Sequence, residues 1–216
     1  MRKTFQEELN SLRAEIRRMG ELVEQAIDNA VKSLVNGDVA LAAKVIAGDD
    51  AIDAINLGIE EQSMYVIARQ CPVAGDLRLI HSILFISVHL ERMGDLALNM
   101  AKTTRRTQEE ESLPGLLALI SEMGEQTKKV VRTSLEAFDQ NDVELARTLP
   151  ELDDPIDSLF KQFFKELAGA AVKKGAFEWA SNMVLASRYL ERIADHAVDI
   201  GERVTYLVTG VMEEWA

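Results

Sequence analysis

The sequence repeats itself. Shifting the chain by 104 residues lays Met19-Gly20-Glu21 on Met123-Gly124-Glu125, Asp38-Val39 on Asp142-Val143, and Leu41-Ala42 on Leu145-Ala146. The same shift lays Asp50, Ile52 and Asp53 on Asp154, Ile156 and Asp157. Further along, the shift becomes 100, and Leu90-Glu91-Arg92-Met93-Gly94-Asp95-Leu96-Ala97 falls on Leu190-Glu191-Arg192-Ile193-Ala194-Asp195-His196-Ala197. The matches keep polar residues in fixed register, which shared apolar composition alone does not do. They mark a duplication, and a duplicated chain must fold as two copies of one unit.

The unit is helical. Ala, Leu, Glu and Met are plentiful while aromatics make up only 6% of the chain, a balance that favours helix over strand. Asn36-Gly37-Asp38 places a left-handed stop before an Asp N-cap, and Gln140-Asn141-Asp142 repeats the device with Asn as the stop. Cys71-Pro72 ends a helix, because a residue before proline avoids the helical region. Lys173-Lys174-Gly175 reads as a basic last turn followed by a Gly stop. Glu109 to Gly115 reads as a linker, and all four prolines lie at or near breaks. The expected helices are roughly 5–36, 38–70, 74–107, 115–140, 142–173 and 176–210. Ile80, Ile83, Leu84, Leu90, Met93 and Ala97 give the third an apolar stripe. The fold expected is all-α, with six long helices in two tandem antiparallel three-helix bundles, 1–108 and 109–216.

Charge and cysteine usage narrow the function. A net charge of −12 argues against nucleic-acid binding, which needs clustered Lys and Arg, and against adhesion to anionic lipid. The acidity is uneven: residues 1–108 carry 13 basic against 15 acidic groups, and residues 109–216 carry 11 against 21. A basic partner is therefore expected on the second half. One cysteine, Cys71, excludes an internal disulfide and fits a reducing compartment. Met1 to Asn10 lack an apolar signal-peptide core, and no segment has the length of apolar sequence that membrane insertion requires. The expected location is the cytoplasm.

The third helix of each copy carries a polar row at four-residue steps: Glu91, Asp95 and Asn99, then Glu191, Asp195 and Asp199. Like charges at that spacing cost an isolated helix about 0.2–0.5 kcal/mol per pair, so something must compensate for them. A hard cation is one candidate, with Asp50 and Asp53, repeated as Asp154 and Asp157, as partners from the second helix. Ion pairs with Arg92, Arg188 and Arg192 on a solvated face are the other. Asp50, Asp53, Glu91, Asp95, Asn99, Asp154, Asp157, Glu191, Asp195 and Asp199 are thus the candidate metal residues.

Catalytic signals are weak. The chain has no Gly-x-Ser-x-Gly elbow and no phosphate-cradling Gly-rich loop ending in Lys. The Glu-x-x-His pairs of ferritin-like di-iron proteins are absent, since Arg78, Ile86 and Ile193 stand three residues before His81, His89 and His196. His196, next to Asp195, is expected at a structural or surface position in preference to flanking a metal or pairing with a carboxylate, His81 and His89 in the core or at its boundary, and Cys71 in turn packing. Trp179 and Trp215 are expected in packing or at the surface.

These residues resemble the PhoU family of phosphate-signalling proteins. The likeness rests on the two Glu-Arg-x-x-Asp segments, on Arg69-Gln70-Cys71-Pro72-Val73-Ala74-Gly75-Asp76-Leu77-Arg78, and on Tyr206-Leu207-Val208-Thr209-Gly210. It implies a cytoplasmic, non-enzymatic negative regulator of the phosphate regulon. The partners it implies are a phosphate-transporter ATPase subunit, a phosphate-sensing histidine kinase and a second copy of the chain. It also implies metal ions (iron, zinc, manganese or magnesium) at Glu/Asp-x-x-x-Asp motifs, here Glu91 with Asp95 and Glu191 with Asp195. Asn99 stands opposite Asp199, so the first site is expected to be poorer in anionic ligands. A metal-dependent helical-bundle enzyme and a metal-free interaction module are the competing readings.

Overall fold

The computed structural model describes residues 2–110, 112–170 and 177–215. These form α1 (Arg2–Asn36), α2 (Val39–Gln70), α3 (Ala74–Arg106), α4 (Pro114–Gln140), α5 (Val143–Ala146), α6 (Leu149–Ala170) and α7 (Phe177–Thr209), with no strand among the described residues. The all-helical expectation holds, with six long helices and one single-turn helix.

The stops work by local chemistry. Gly37 and Asn141 take left-handed φ values of 65° and 52°. Behind them the Asp38 and Asp142 carboxylates accept the Leu41 and Leu145 amides at 2.9 and 3.0 Å, satisfying donors that a helix start leaves open. Cys71 ends α2 in the same left-handed region, at φ 47°, with its amide donating to the Ile67 carbonyl. Its side chain is exposed and not packed into the turn. The stop expected at Lys173-Lys174-Gly175 lies outside the described residues.

The expected fifth helix is in fact two, α5 and α6, separated by a turn at Arg147 and Thr148. Pro150 is the cause: it has no amide to donate to the Ala146 carbonyl, and its ring crowds that oxygen. The first copy has Ile46 at the matching position, and α2 runs through unbroken. Pro155 departs from expectation in the other direction, because it lies inside α6.

Helices α1, α2 and α3 pack on one another, as do α4, α6 and α7, while α5 rests on α4 and α7. Two seams join the copies. The larger is α3 against α7, as extensive as any helix pair within a copy among the described residues. It runs antiparallel: Arg78 Nε donates to the Leu207 carbonyl at 3.4 Å, and Arg203 Nη1 lies 3.3 Å from His81 Nδ1. Met93 and Ile193, equivalent in the repeat, are fully buried midway along. The apolar residues of both copies form one continuous core.

The smaller seam, α1 against α4, makes one contact twice. A Cβ on Gly20 would lie 2.7 Å from Leu135, and a Cβ on the equivalent Gly124 would lie 2.8 Å from Val31, the equivalent of Leu135. Each glycine admits a bulky neighbour from the other copy, so the helices approach closely. Arg17–Asp139, Arg132–Glu24 and Lys128–Asp28 pairs at 2.6, 3.0 and 2.6 Å flank the contact. The first two are largely exposed and contribute little.

Gly124→Ala is expected to destabilise the protein by about 1–2 kcal/mol. Overpacking against β-branched Val31 outweighs the gain of up to about 1 kcal/mol in helix propensity. Gly20→Ala should cost less, since the tip of Leu135 can swing aside. Urea unfolding of Gly124→Ala, Val31→Ala and the double variant tests this: the double variant should be less destabilised than the sum of the single ones, and strict additivity would refute the contact.

Candidate metal centre

In the first copy α2 offers Asp49 and Asp53 to the Glu91 and Asp95 of α3, and in the second α6 offers Asp153 and Asp157 to the Glu191 and Asp195 of α7. Asp49 Oδ1 stands 3.8 Å from where a Cβ on Gly94 would be, which sets its carboxylate against the α3 backbone. Burial raises the Asp49 pKa, and the charges of Asp53 and Asp95 raise it further. Glu91 is raised by burial, with Arg92 opposing and Asp95, Asp53 and Asp49 adding to the rise. The coupled groups come from two helices, so each cluster bridges the second and third long helices of its copy.

The second cluster is the more strained. Asp153 is pushed up to about 7, first by burial and then by Asp195, Asp157 and Glu191. Glu191 is raised by burial and by Asp195, against the pull of Arg188. Burial also raises Asp195, opposed by Arg188. Asp153 Oδ1 and Glu191 Oε2 are buried without a hydrogen-bond partner. Buried carboxylate oxygens are costly to leave unsatisfied, and a cation is the partner that satisfies several at once.

Arginines answer part of the charge. Arg92 pairs with Glu91 at 3.4 Å and with Asp95 at 3.3 Å, and Arg188 pairs with Glu191. Both arginine side chains are about half exposed, so they can swing aside. The donor set is all oxygen, which suits hard or borderline divalent ions and selects poorly among them.

Of the ten residues the sequence suggests, Asp53, Glu91, Asp95, Asp157, Glu191 and Asp195 are coupled electrostatically in these two clusters, while among the described residues no three of their oxygens come within 4.8 Å of one another. Asp50 and Asp154 contribute least, coming last among the charges that act on Asp49 and Asp153, and the seam positions belong to those neighbours. A signal for those neighbours does exist in the sequence. Asp49 interrupts the buried stripe Ala42, Val45, Ile52, and Asp153 interrupts Ala146, Leu149, Ile156, so each carboxylate occupies a seam position where an apolar residue is the rule.

Asp199 lies elsewhere, and Asn99 is its counterpart in the first copy. Asp199 turns to the α3–α7 seam, where its Oδ2 is 3.3 Å from His89 Nδ1 and 3.5 Å from His196 Nδ1. Burial raises its pKa, but the two imidazoles outweigh that and hold it well below the usual carboxylate range.

Fold and site together define a duplicated helical-bundle protein with one inter-helix carboxylate cluster per copy. A family model described as the PhoU domain matches it twice, over residues 16–104 and 120–204, and the two matches are offset by the same shifts as the internal repeat. The chain belongs to the PhoU family. It is 36% identical over 207 residues to the phosphate-specific transport system accessory protein PhoU homolog of Pseudomonas aeruginosa, covering 95% of this chain and 86% of that one. It is also 36% identical to PhoU homolog 1 of Thermotoga maritima, covering 95% and 89%. The crystal structure of PhoU from Pseudomonas aeruginosa superposes with a TM-score of 0.91 at 36% identity over 96% of this chain and 100% of that one. The phosphate transport system regulatory protein PhoU from Streptococcus pneumoniae gives 0.90 at 27% identity over 98% and 100%.

The raised Asp153 sets a pH dependence. An unfolded Asp titrates near 3.9, so between about 4 and 7 the folded chain holds more protons than the unfolded one and loses stability as pH rises. Chelator-treated protein should show a thermal midpoint that falls from pH 5 to pH 8, and Asp153→Asn should flatten that fall. Equal slopes in the two proteins would contradict the assignment.

Proposed function

We propose that this protein is an accessory regulator of phosphate transport that works in the cytoplasm by binding rather than by catalysis and restrains the phosphate-starvation response when phosphate is plentiful. The observation that carries the reading is end-to-end correspondence. The fold and the sequence both align over 95% or more of the chain with proteins named as accessory to phosphate-specific transport. Among the described residues no helix is long and apolar enough to cross a membrane, consistent with a regulator that meets the transporter from outside the bilayer. The partners in this reading are the transporter's ATPase subunit and a phosphate-sensing histidine kinase, with the active form a homodimer. The acidic second half offers the surface for a basic partner.

In the same reading each carboxylate cluster holds a metal centre. Asp49, Asp53, Glu91 and Asp95 would supply one set of ligands, and Asp153, Asp157, Glu191 and Asp195 the other. Iron, zinc, manganese or magnesium would supply the positive charge that Arg92 and Arg188 provide only in part. The orphaned oxygens of Asp153 and Glu191 support the second centre most strongly.

A strain lacking this protein should express phosphate-starvation genes in phosphate-rich medium, and the wild-type chain should restore repression. Unchanged expression and unchanged phosphate uptake in the deletion strain would overturn the regulatory reading. Metal analysis of protein purified without chelator tests the centres separately. Asp153→Asn with Glu191→Gln should remove the metal of the second cluster and spare the first, and an unchanged content would refute the ligand set.

A further inference from the structure

The carboxylate clusters leave one group of metal-binding side chains unexplained. At the α3–α7 seam, His89 comes from one copy and His196 and Asp199 from the other, and one ligand atom from each lies within 4.8 Å of the other two. All three side chains are shielded to some degree, the histidines most, at 16% and 18% exposure. We propose that His89, His196 and Asp199 form a separate binding site for one divalent transition-metal ion of the zinc type, bridging the two copies of the repeat.

The distances favour metal over a simple ion pair. A charge-assisted N–H···O bond closes to about 2.7–2.9 Å, shorter than either contact to Asp199 Oδ2. Both Nδ1 atoms are buried, and neither has a hydrogen-bond partner. By contrast, ligands about 2.0–2.2 Å from a tetrahedral zinc stand about 3.3–3.6 Å from one another. The observed 3.3 and 3.5 Å both fall in that interval. Two imidazoles and one carboxylate are a donor set that suits zinc and its neighbours better than calcium or magnesium.

The surroundings hold the ligands in place. His89 stacks on Phe85 with ring centroids 4.1 Å apart, and His196 meets His89 edge to face at 5.0 Å. Phe85 is in turn covered by the Arg203 guanidinium, 3.8 Å from its centroid. His196 and Asp199 are three residues apart on α7, so they share a face.

The repeat shows that the site is single. Under the 100-residue shift His89, His196 and Asp199 correspond to Tyr189, Leu96 and Asn99. That set offers no comparable ligands, so the pseudo-symmetric end of the seam stays metal-free. The substitution Asp199→Asn also places at this seam the residue that the other copy already carries, and His89→Phe preserves the stack on Phe85. Both variants should therefore fold.

The test is zinc titration of the full chain with Asp49→Asn, Asp53→Asn, Glu91→Gln, Asp95→Asn, Asp153→Asn, Asp157→Asn, Glu191→Gln and Asp195→Asn in place, which neutralises both carboxylate clusters. This background should bind one zinc, with side-chain NMR signals of His89 and His196 shifting and those of His81 unmoved. Adding Asp199→Asn or His89→Phe should weaken that binding by more than about 100-fold, the upper range for losing even an indirect support of a metal ligand. Zinc should also raise the thermal midpoint of the wild-type chain more than that of Asp199→Asn. Zinc binding that is unchanged in these variants, or no bound zinc in the background with its helical circular dichroism intact, would overturn the proposal.

Discussion

The antiparallel meeting of α3 and α7 organises the molecule. Each is the third long helix of its copy, each packs on the two long helices before it, and each also packs on the other as extensively as any helix pair within a copy does among the described residues. A helix with partners on several sides must be apolar over a broad surface, and α3 buries Ile80, Ile83, Leu90, Met93, Ala97 and Met100 completely. Two strips on these helices nonetheless carry ionisable side chains against a packed neighbour. One strip faces the preceding long helix and carries the carboxylate cluster. The other faces the opposite copy and carries the His–Asp group.

Placing carboxylates in those strips runs against stability. Asp49 and Asp153 stand where α2 and α6 would otherwise continue an apolar seam, and burial raises both pKa values before any neighbour is counted. Ordinary packing does not require an acid there, still less four acids from two helices. Exposed arginines at Arg92 and Arg188 soften the repulsion without removing it, because Asp153 Oδ1 and Glu191 Oε2 remain unpaired. Local stability is sacrificed at equivalent positions of both copies.

Much of this was legible in the sequence, and the exceptions have physical causes. The repeat, the Asp38 and Asp142 caps and the stop at Cys71-Pro72 are local chemistry and reappear within a residue or two. The break before α6 was obscured because its flanking sequence matches an unbroken helix in the other copy, where Ile46 replaces Pro150. Asp50 and Asp154 are hard to tell from Asp49 and Asp153 in sequence, because neighbouring acids look alike until the buried stripe fixes which one points inward. Spacing alone puts Asp199 in the carboxylate row. Four-residue steps advance 400° on a helix with 3.6 residues per turn, so each step rotates the row by about 40°. The third member has turned far enough to leave the cluster and meet the other copy. No sequence pattern announces that encounter, since it depends on α3 and α7 crossing.

The same rotation explains where the two copies were free to diverge. Glu91 and Asp95 match Glu191 and Asp195 because both clusters face a helix of their own copy, and that environment was duplicated along with them. His89, His196 and Asp199 meet across the seam, between copies rather than within one. In two identical copies every cross-seam contact would occur twice. Divergence splits each contact into two separate ones, so one end can gather His89, His196 and Asp199 while the other holds Tyr189, Leu96 and Asn99. Arg78, His81 and Arg203 lie at the first end, and at the second Thr103 and Thr107 are buried and donate to backbone carbonyls of their own helix. The fold constrains both ends to pack, but it constrains only their volume. Charge and metal-binding chemistry at the seam were left open to change in one copy without disturbing the other.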